Sequence, residues 1–209
     1  MGCSSSTVSL ADQTALGSAE FTGIPLVWSG ITADAGTLVG TGKTLEGAGG
    51  TVLLSVDDTS KQDKVTLSLS ELATGKVVLL VYDSQAASFF NGTPTIWTLY
   101  TAVSQAGQKP ETTPTGSSMY RLGTFEEKAG VLRYLDANGA TVMTAKHLAG
   151  FSTCKAFGAD GLLAAVVLKL SESKAEAGLC TGMCTYAKGV DPVMVLAMAT
   201  ASASVAQRS

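Results

Sequence analysis

The residues that most clearly suggest a chemical modification lie at the start of the sequence, which reads Met1-Gly2-Cys3 and continues with three serines. Gly2 becomes the first residue once Met1 is removed, and Gly at this position with Ser6 four residues later is typical of N-myristoylation. Cys3 beside it is a candidate for palmitoylation. One myristoyl chain holds a protein at a membrane only marginally, at about 0.8 kcal/mol per buried methylene, so Cys3 is expected to carry the second chain. The alternative is an unmodified start whose Met-Gly pair arose by chance.

The distribution of charge excludes some classes of function. The 209 residues carry a net charge of -3. The first sixty positions contain six acidic residues and a single basic residue, Lys43. No basic cluster therefore lies beside Gly2 in the sequence, and the second membrane signal is expected from Cys3 rather than from attraction to anionic lipid. The chain also lacks the basic stripe that nucleic-acid binding requires, so no nucleic-acid partner is expected.

Most of the chain has the pattern of short strands. Residues 1–23 are small and polar without a sustained period, which predicts a flexible acylated tether, and residues 24–209 are expected to form one domain. Turn pairs such as Asn138-Gly139 and Asp160-Gly161 favour antiparallel hairpins. Runs rich in Val, Leu and Thr predict strands at 51–56, 65–69, 77–82, 95–100, 119–125, 131–135, 141–147, 151–157 and 162–170.

The C-terminal segment breaks this pattern and predicts a helix over residues 192–206. Asp191 can cap the helix and Pro192 suits its first position. No charged residue occurs from Val193 to Ala206, and apolar side chains cover every side of the helix. Its span of roughly 21 Å is short of the ~30 Å membrane core. A position inside a closed sheet fits best, and it also fits the high mean hydropathy of +0.28.

Motifs that suggest enzymatic chemistry have simpler interpretations. The run Gly40-Thr41-Gly42-Lys43-Thr44 lacks the first Gly and the following helix of a phosphate loop, so a Gly-rich strand connection is predicted. Cys180 and Cys184 on one strand would lie about 13 Å apart, too far to share a zinc ion. With His147 as the one histidine, no Ser-His-Asp set is identifiable. We therefore expect no enzyme, no cofactor and no metal.

The compartment follows from the acylation motif. An acylated N-terminus is expected at the cytoplasmic face of a membrane, which is a reducing environment. Cys154, Cys180 and Cys184 are therefore expected to be free thiols, buried or half-buried.

The run Gly189-Val190-Asp191-Pro192-Val193-Met194-Val195-Leu196-Ala197-Met198-Ala199 resembles the end of the tubby C-terminal-like superfamily, particularly LURP-one-related proteins, with phospholipid scramblases as distant relatives. Val81-Tyr82-Asp83 and the segment 155–164 look like strand-turn-strand pieces of the same family. The resemblance implies a mainly β fold, a closed antiparallel β-barrel of about twelve strands around a central hydrophobic C-terminal helix. In tubby proteins, Lys and Arg on the barrel wall bind phosphoinositides, whereas LURP-one-related proteins have no settled activity.

Basic residues become frequent in the second half of the chain. We select Arg121, Arg133 and Lys146, which lie within predicted strands, as candidate lipid-headgroup ligands. The alternative is an ordinary solvated surface, since basic residues exceed acidic ones there by only two. The full basic set is Arg121, Lys128, Arg133, Lys146, Lys155, Lys169, Lys174 and Lys188.

These observations predict a non-enzymatic, monomeric barrel protein tethered to a membrane by acyl chains on Gly2 and Cys3. Its expected ligand is a phosphoinositide or another lipid headgroup, or else it binds a signalling partner. One alternative is a scramblase-like lipid transporter whose C-terminal helix enters the bilayer. Another is a lipid carrier with an open cavity, which a helix filling the lumen would disfavour.

Overall fold

The computed structural model describes residues 8–22, 27, 34, 36–41, 43–47, 50–57, 65–85, 93–104, 107–128, 130–148, 153–168 and 181–206. Most of these residues lie in strands, with one helix near each end of the chain. The helices are α1 (Leu10–Ser18) and α2 (Pro192–Ala206). The strands are β1 (Gly36–Thr41), β2 (Thr44–Glu46), β3 (Val52–Asp57), β4 (Val65–Glu71), β5 (Val77–Gln85), β6 (Thr95–Thr101), β7 (Glu111–Thr112), β8 (Ser118–Lys128), β9 (Val131–Asp136), β10 (Thr141–Leu148), β11 (Thr153–Gly158), β12 (Leu163–Leu168) and β13 (Thr181–Tyr186).

Among the described residues, twelve strands form a closed antiparallel barrel in the ring order β1-β2-β3-β4-β5-β6-β8-β9-β10-β11-β12-β13. The pairing of β13 with β1 and that of β6 with β8 complete the ring. The short β7 pairs with the first residues of β8 and is not part of the ring. The predicted fold, a mainly β protein with a closed barrel of about twelve strands, is confirmed.

Alternating side chains give strands such as β6 and β11 an apolar face for the lumen. Along β6, burial alternates residue by residue, and Leu99 is fully buried. The turn chemistry also has its predicted effect between β9 and β10. The Asp136 carboxylate accepts hydrogen bonds from the backbone N–H groups of Asn138 and Ala140, and Gly139 adopts a φ of 83°. Sequence pattern and turn residues together therefore set the hairpins of this half of the barrel.

Helix α2 occupies the lumen, and its observed bounds match the predicted range 192–206. It contacts β1, β4, β8, β9, β12 and β13, strands distributed around the ring. Every side chain from Val193 to Met198 is at most 1% exposed. A helix that is apolar on all sides is stable in water only when it is enclosed in this way. No helix among the described residues combines the length and apolar character needed to cross a membrane.

A buried carboxylate holds the start of α2. Asp191 is fully buried, and its Oδ1 accepts hydrogen bonds from the N–H groups of Val193 at 2.8 Å and Met194 at 3.2 Å. Its Oδ2 accepts a further hydrogen bond from the N–H of Val27 at 2.5 Å. The Val27 carbonyl in turn accepts a hydrogen bond from the Thr101 hydroxyl of β6. Asp191 thus caps the helix and connects it, through Val27, to the barrel wall.

Part of the segment predicted as a tether over residues 1–23 is docked on the barrel, because residues 8–22 include helix α1. Helix α1 begins at the N-cap Ser9, whose hydroxyl accepts a hydrogen bond from the N–H of Asp12. It packs against β12, and Leu16 and Val8 join the apolar core. Nine residues are too few for a stable isolated helix, so these tertiary contacts keep α1 folded. Residues 1–7 and 23 lie outside the described residues.

A second contact follows α1. Glu20 forms a parallel bridge with Lys188, and the N–H of Phe21 donates a hydrogen bond to the Lys188 carbonyl at 2.9 Å. The Phe21 carbonyl then packs directly against the Cα of Gly189, which has a φ of 81°. Only a residue without a side chain allows this approach in this backbone conformation.

We predict that Gly189→Ala destabilises the protein more than the control Gly139→Ala. Both glycines have nearly the same positive φ, but a Cβ at 139 meets nothing within 4 Å, whereas one at 189 overlaps the Phe21 carbonyl. The control should cost about 1 kcal/mol of unfolding free energy, the penalty of a left-handed φ. Gly189→Ala should cost at least about 1 kcal/mol more, because the Phe21–Lys188 hydrogen bond is lost. Urea unfolding measures both, and equal losses would show that the contact contributes nothing.

A second prediction concerns pH. Burial raises the pKa of Asp191 from its ordinary 3.8 to about 6, against the opposing effect of its three backbone hydrogen bonds. Between these values the folded state holds a proton that the unfolded state has released. The unfolding free energy should therefore fall as the pH rises from about 4 to about 6, by up to about 3 kcal/mol in total.

The variant Asp191→Asn isolates this effect, since it carries the same other acids and no titrating group at position 191. Denaturant unfolding at several pH values should show the wild type losing stability relative to the variant as the pH rises to about 6. Parallel pH profiles for the two proteins would contradict the assignment.

Candidate functional site

Across four neighbouring strands of the barrel wall, three strands place a lysine at the same level. In the register of the sheet, Lys128 at the end of β8 lies opposite Val131 of β9, which lies opposite Lys146 of β10. Lys146 lies opposite Lys155 of β11. Lys128, Lys146 and Lys155 therefore form a line across the sheet, which we call the basic row. Directly opposite residues lie about 5 Å apart, so the row spans roughly 15 Å.

The side chains of the basic row point away from the lumen. Met143 and Ala145 of β10 are buried against the core, which places the intervening side chains of this strand, including Lys146, on the outer face. By the same alternation, Cys154 and Ala156 face inward and Lys155 faces outward. Lys128 and Lys146 are exposed, whereas Lys155 is half-buried. The basic row is thus open to a ligand from solvent.

Arg133 of β9 lies beside the basic row, two residues along the strand from Val131. It lies opposite Thr144, so it is the diagonal neighbour of Lys146 on the same face. Its guanidinium stands 3.9 Å from the carboxylate of Glu126 on β8, and half of its side chain is exposed. Glu126 is partly buried, but at 3.9 Å and with a half-exposed arginine the pair contributes little to stability and leaves Arg133 able to exchange partners.

The charges of the basic row are only partly neutralised. Lys155 donates to the Asp12 carboxylate of α1 at 2.6 Å, while Lys128 and Lys146 have no ion-pair partner among the described residues. Like charges directly opposite each other on neighbouring strands are unfavourable, as for Lys146 and Lys155. A cationic surface of this kind favours an anion that can contact several ammonium groups at once.

Arg121 lies elsewhere. It pairs in register with Tyr100 of β6, five residues before Glu126 along β8, which is roughly 16 Å. Burial is the main cause of the raised pKa of Tyr100, Glu111 adds to it, and Arg121 opposes it. The three residues selected from the sequence therefore divide: Arg133 and Lys146 lie together, and Arg121 belongs to a different part of the wall.

The selection also left out Lys128 and Lys155, which complete the basic row. Both were in the wider basic set, but their alignment depends on which residues face each other across four strands. Lys128 ends β8 and pairs with Val131, which begins β9 after a two-residue connection that contains Gly130, so this part of the register has a local turn signal in the sequence. Lys169 and Lys174 lie outside the described residues.

The basic row lies at the end of the barrel where α1 begins. Lys128 ends β8, Lys146 is close to the end of β10, and Lys155 is close to the start of β11, so all three belong to one barrel end. Asp12, in the first turn of α1, reaches the same end through Lys155. Basic residues that are missing near α1 in the sequence are therefore present beside the first turn of α1 in space. Gly2 and Cys3 themselves lie outside the described residues.

Two other motifs have the simpler roles predicted for them. Gly40 and Thr44 belong to a hairpin of β1 and β2, the Gly-rich strand connection. Cys154 and Cys184 are buried free thiols, and burial raises the pKa of Cys154 to about 12, which leaves it unreactive. Cys180 and the side chain of His147 lie outside the described residues.

No protein-family model matches the chain, and no match was found among curated proteins. Among solved structures, the chain is similar to the X-ray structure of a protein from Arabidopsis thaliana. The TM-score is 0.56 at 13% sequence identity, over 88% of this chain and 99% of that chain. The Arabidopsis protein is LURP-one-related, so the likeness supports the fold that the sequence resemblance implies. At this level of identity, the likeness shows the fold alone.

Proposed function

We propose that this chain is a membrane-tethered, non-enzymatic tubby-like or LURP-one-related barrel protein whose basic row binds the anionic headgroup of a lipid, with a phosphoinositide as the preferred class. The observation that carries the proposal is the convergence of Lys128, Lys146 and Arg133 on one exposed face.

The chemistry of the face suits a headgroup with several phosphates. Lysine ammonium groups are compact point charges that bind phosphate oxygens from variable directions, and Arg133 adds a planar donor for bidentate contact. A ligand with a single charge would satisfy only one cation of a line about 15 Å long. A polyphosphorylated inositol ring can contact neighbouring members of the row together, which favours it over a singly charged headgroup.

The position of the face suits a protein held by its N-terminus. A single acyl chain gives marginal attachment, and each Lys or Arg near an anionic surface adds about 1 kcal/mol. Since α1 begins beside Lys155, acyl chains on Gly2 and Cys3 would hold the basic row close to the bilayer. We infer that the acyl chains provide tethering and that the basic row provides selectivity for the headgroup.

The enclosed helix gives this proposal more support than the scramblase-like alternative. Residues Val193 to Met198 of α2 pack against barrel strands from several sides. For α2 to enter a bilayer, these strands would have to separate and expose their own apolar faces to water, which is costly. The filled lumen likewise leaves a lipid carrier no space around these residues.

We predict that Lys146→Gln weakens binding to anionic vesicles more than Arg121→Gln does. Both variants remove one exposed cation, but only Lys146 belongs to the basic row. Sedimentation of the full chain with phosphatidylcholine vesicles containing phosphatidylinositol bisphosphate should show a loss of about fivefold for Lys146→Gln. Arg121→Gln should have little effect. Equal losses would indicate general attraction without a site, and wild-type binding that is the same with pure phosphatidylcholine would contradict headgroup binding.

The anchor is tested separately in cells. The double variant Gly2→Ala, Cys3→Ser should move from the membrane fraction to the soluble fraction, because the remaining electrostatic attraction is too weak to hold the protein. Ser4→Ala and Ser5→Ala together provide a control that alters neighbouring residues and leaves both acceptors and Ser6 of the motif in place. Intact-mass measurement of the purified proteins counts the acyl chains directly. A double variant that stays on the membrane would contradict the anchor.

A further inference from the structure

We propose that α1 regulates headgroup binding by the basic row. Asp12 pairs with Lys155 in place of an anionic headgroup, so headgroup binding and docking of α1 compete. This inference rests on the proposed function and concerns the regulation of the same site.

The contact between Asp12 and Lys155 is well formed. The Nζ of Lys155 donates to Asp12 Oδ1 at 2.6 Å, and the hydroxyl of Ser9 donates to Asp12 Oδ2 at 2.7 Å. The side chains of Lys155 and Asp12 are 26% and 16% exposed. Partial burial makes such a pair stronger than exposed pairs such as that of Lys188 and Glu20, which are 54% and 62% exposed. The hydrogen bonds from Lys155 and then Ser9 lower the pKa of Asp12, so its carboxylate is charged at neutral pH.

The Asp12 carboxylate binds Lys155 as an anionic ligand would. Lys155 lies directly opposite Lys146 across β10 and β11, and Asp12 holds the Lys155 ammonium group that an oxyanion bridging the two lysines would need. A phosphate carries more charge than a carboxylate and can contact both lysines. A polyphosphorylated headgroup therefore has the chemistry to displace Asp12.

Displacement would weaken the docking of the whole helix. Helix α1 is nine residues long and depends on its contacts with the barrel, chiefly the Asp12–Lys155 pair and the buried Leu16. Because coupling between two sites is reciprocal, an anion that weakens docking of α1 binds more tightly once α1 is released. Release would also lengthen the tether up to the Glu20–Lys188 bridge and leave the exposed Leu10 free to reach the bilayer.

The first test compares Asp12→Asn with Glu111→Gln. Each removes one negative charge, but Glu111 lies on β7, away from the basic row. Asp12→Asn should bind vesicles of phosphatidylcholine with phosphatidylinositol bisphosphate about fivefold more tightly than the wild type, the effect of freeing one lysine. Glu111→Gln should match the wild type, and adding Lys155→Gln to Asp12→Asn should remove the gain. Soluble inositol trisphosphate should compete for the same cations, which separates headgroup recognition from attraction to a membrane surface.

The second test needs no variant. Hydrogen exchange of the wild-type chain should show that amides of α1 lose protection when anionic vesicles are added and keep it with pure phosphatidylcholine. It therefore decides the matter even if Asp12→Asn unfolds α1.

The outcomes separate the two proposals. If wild type and Asp12→Asn bind anionic vesicles equally and α1 keeps its protection from hydrogen exchange on them, the proposed regulation is wrong. The headgroup site would still stand. Wild-type protein that does not distinguish anionic from neutral vesicles would overturn both.

Discussion

The barrel and its terminal helix depend on each other. A helix that is apolar on every side, as α2 is from Val193 to Met198, has no stable position in water until it is surrounded. The strands have the complementary requirement, because their inward faces would be exposed around an empty lumen. Asp191 fixes the relative position of the two, since one buried carboxylate caps α2 and holds Val27, which is bonded to Thr101 of the wall. Any arrangement that separates helix and barrel breaks the hydrogen bond between Asp191 and Val27 and so removes the connection to the wall.

The sequence predicts the parts of this fold that depend on local chemistry. The boundaries of α2 follow from Asp191, Pro192 and the run without charges, and most strands follow from alternation and turn residues. The Gly-rich β1, the three-residue β2 and the polar β13 escaped prediction, because they lack a continuous apolar face and are stabilised by the strands beside them. Helix α1 escaped for a similar reason, although Ser9 followed by Asp12 is a readable capping signal.

The candidate site was only partly predictable because the register of strand pairing brings its residues together. Arg133 and Lys146 were identified from the sequence, but the alignment of Lys128, Lys146 and Lys155 depends on pairing across four strands and on the bulge between Thr141 and Met143. Linear order also hid the proximity of the N-terminal segment, since Asp12 and Lys155 are far apart in the chain. Charges that are adjacent in the sequence do not reveal cations that folding brings together at one barrel end.

The closure of the ring has a consequence for biosynthesis. Strand β1, near the start of the chain, finds its second neighbour only in β13, and the lumen is filled only by the segment that follows β13. A nascent chain still held by the ribosome therefore exposes unpaired strand edges and an unfilled interior until β13 and α2 have emerged. Chaperone protection during this interval would matter more for this protein than for one built from sequence-local hairpins alone.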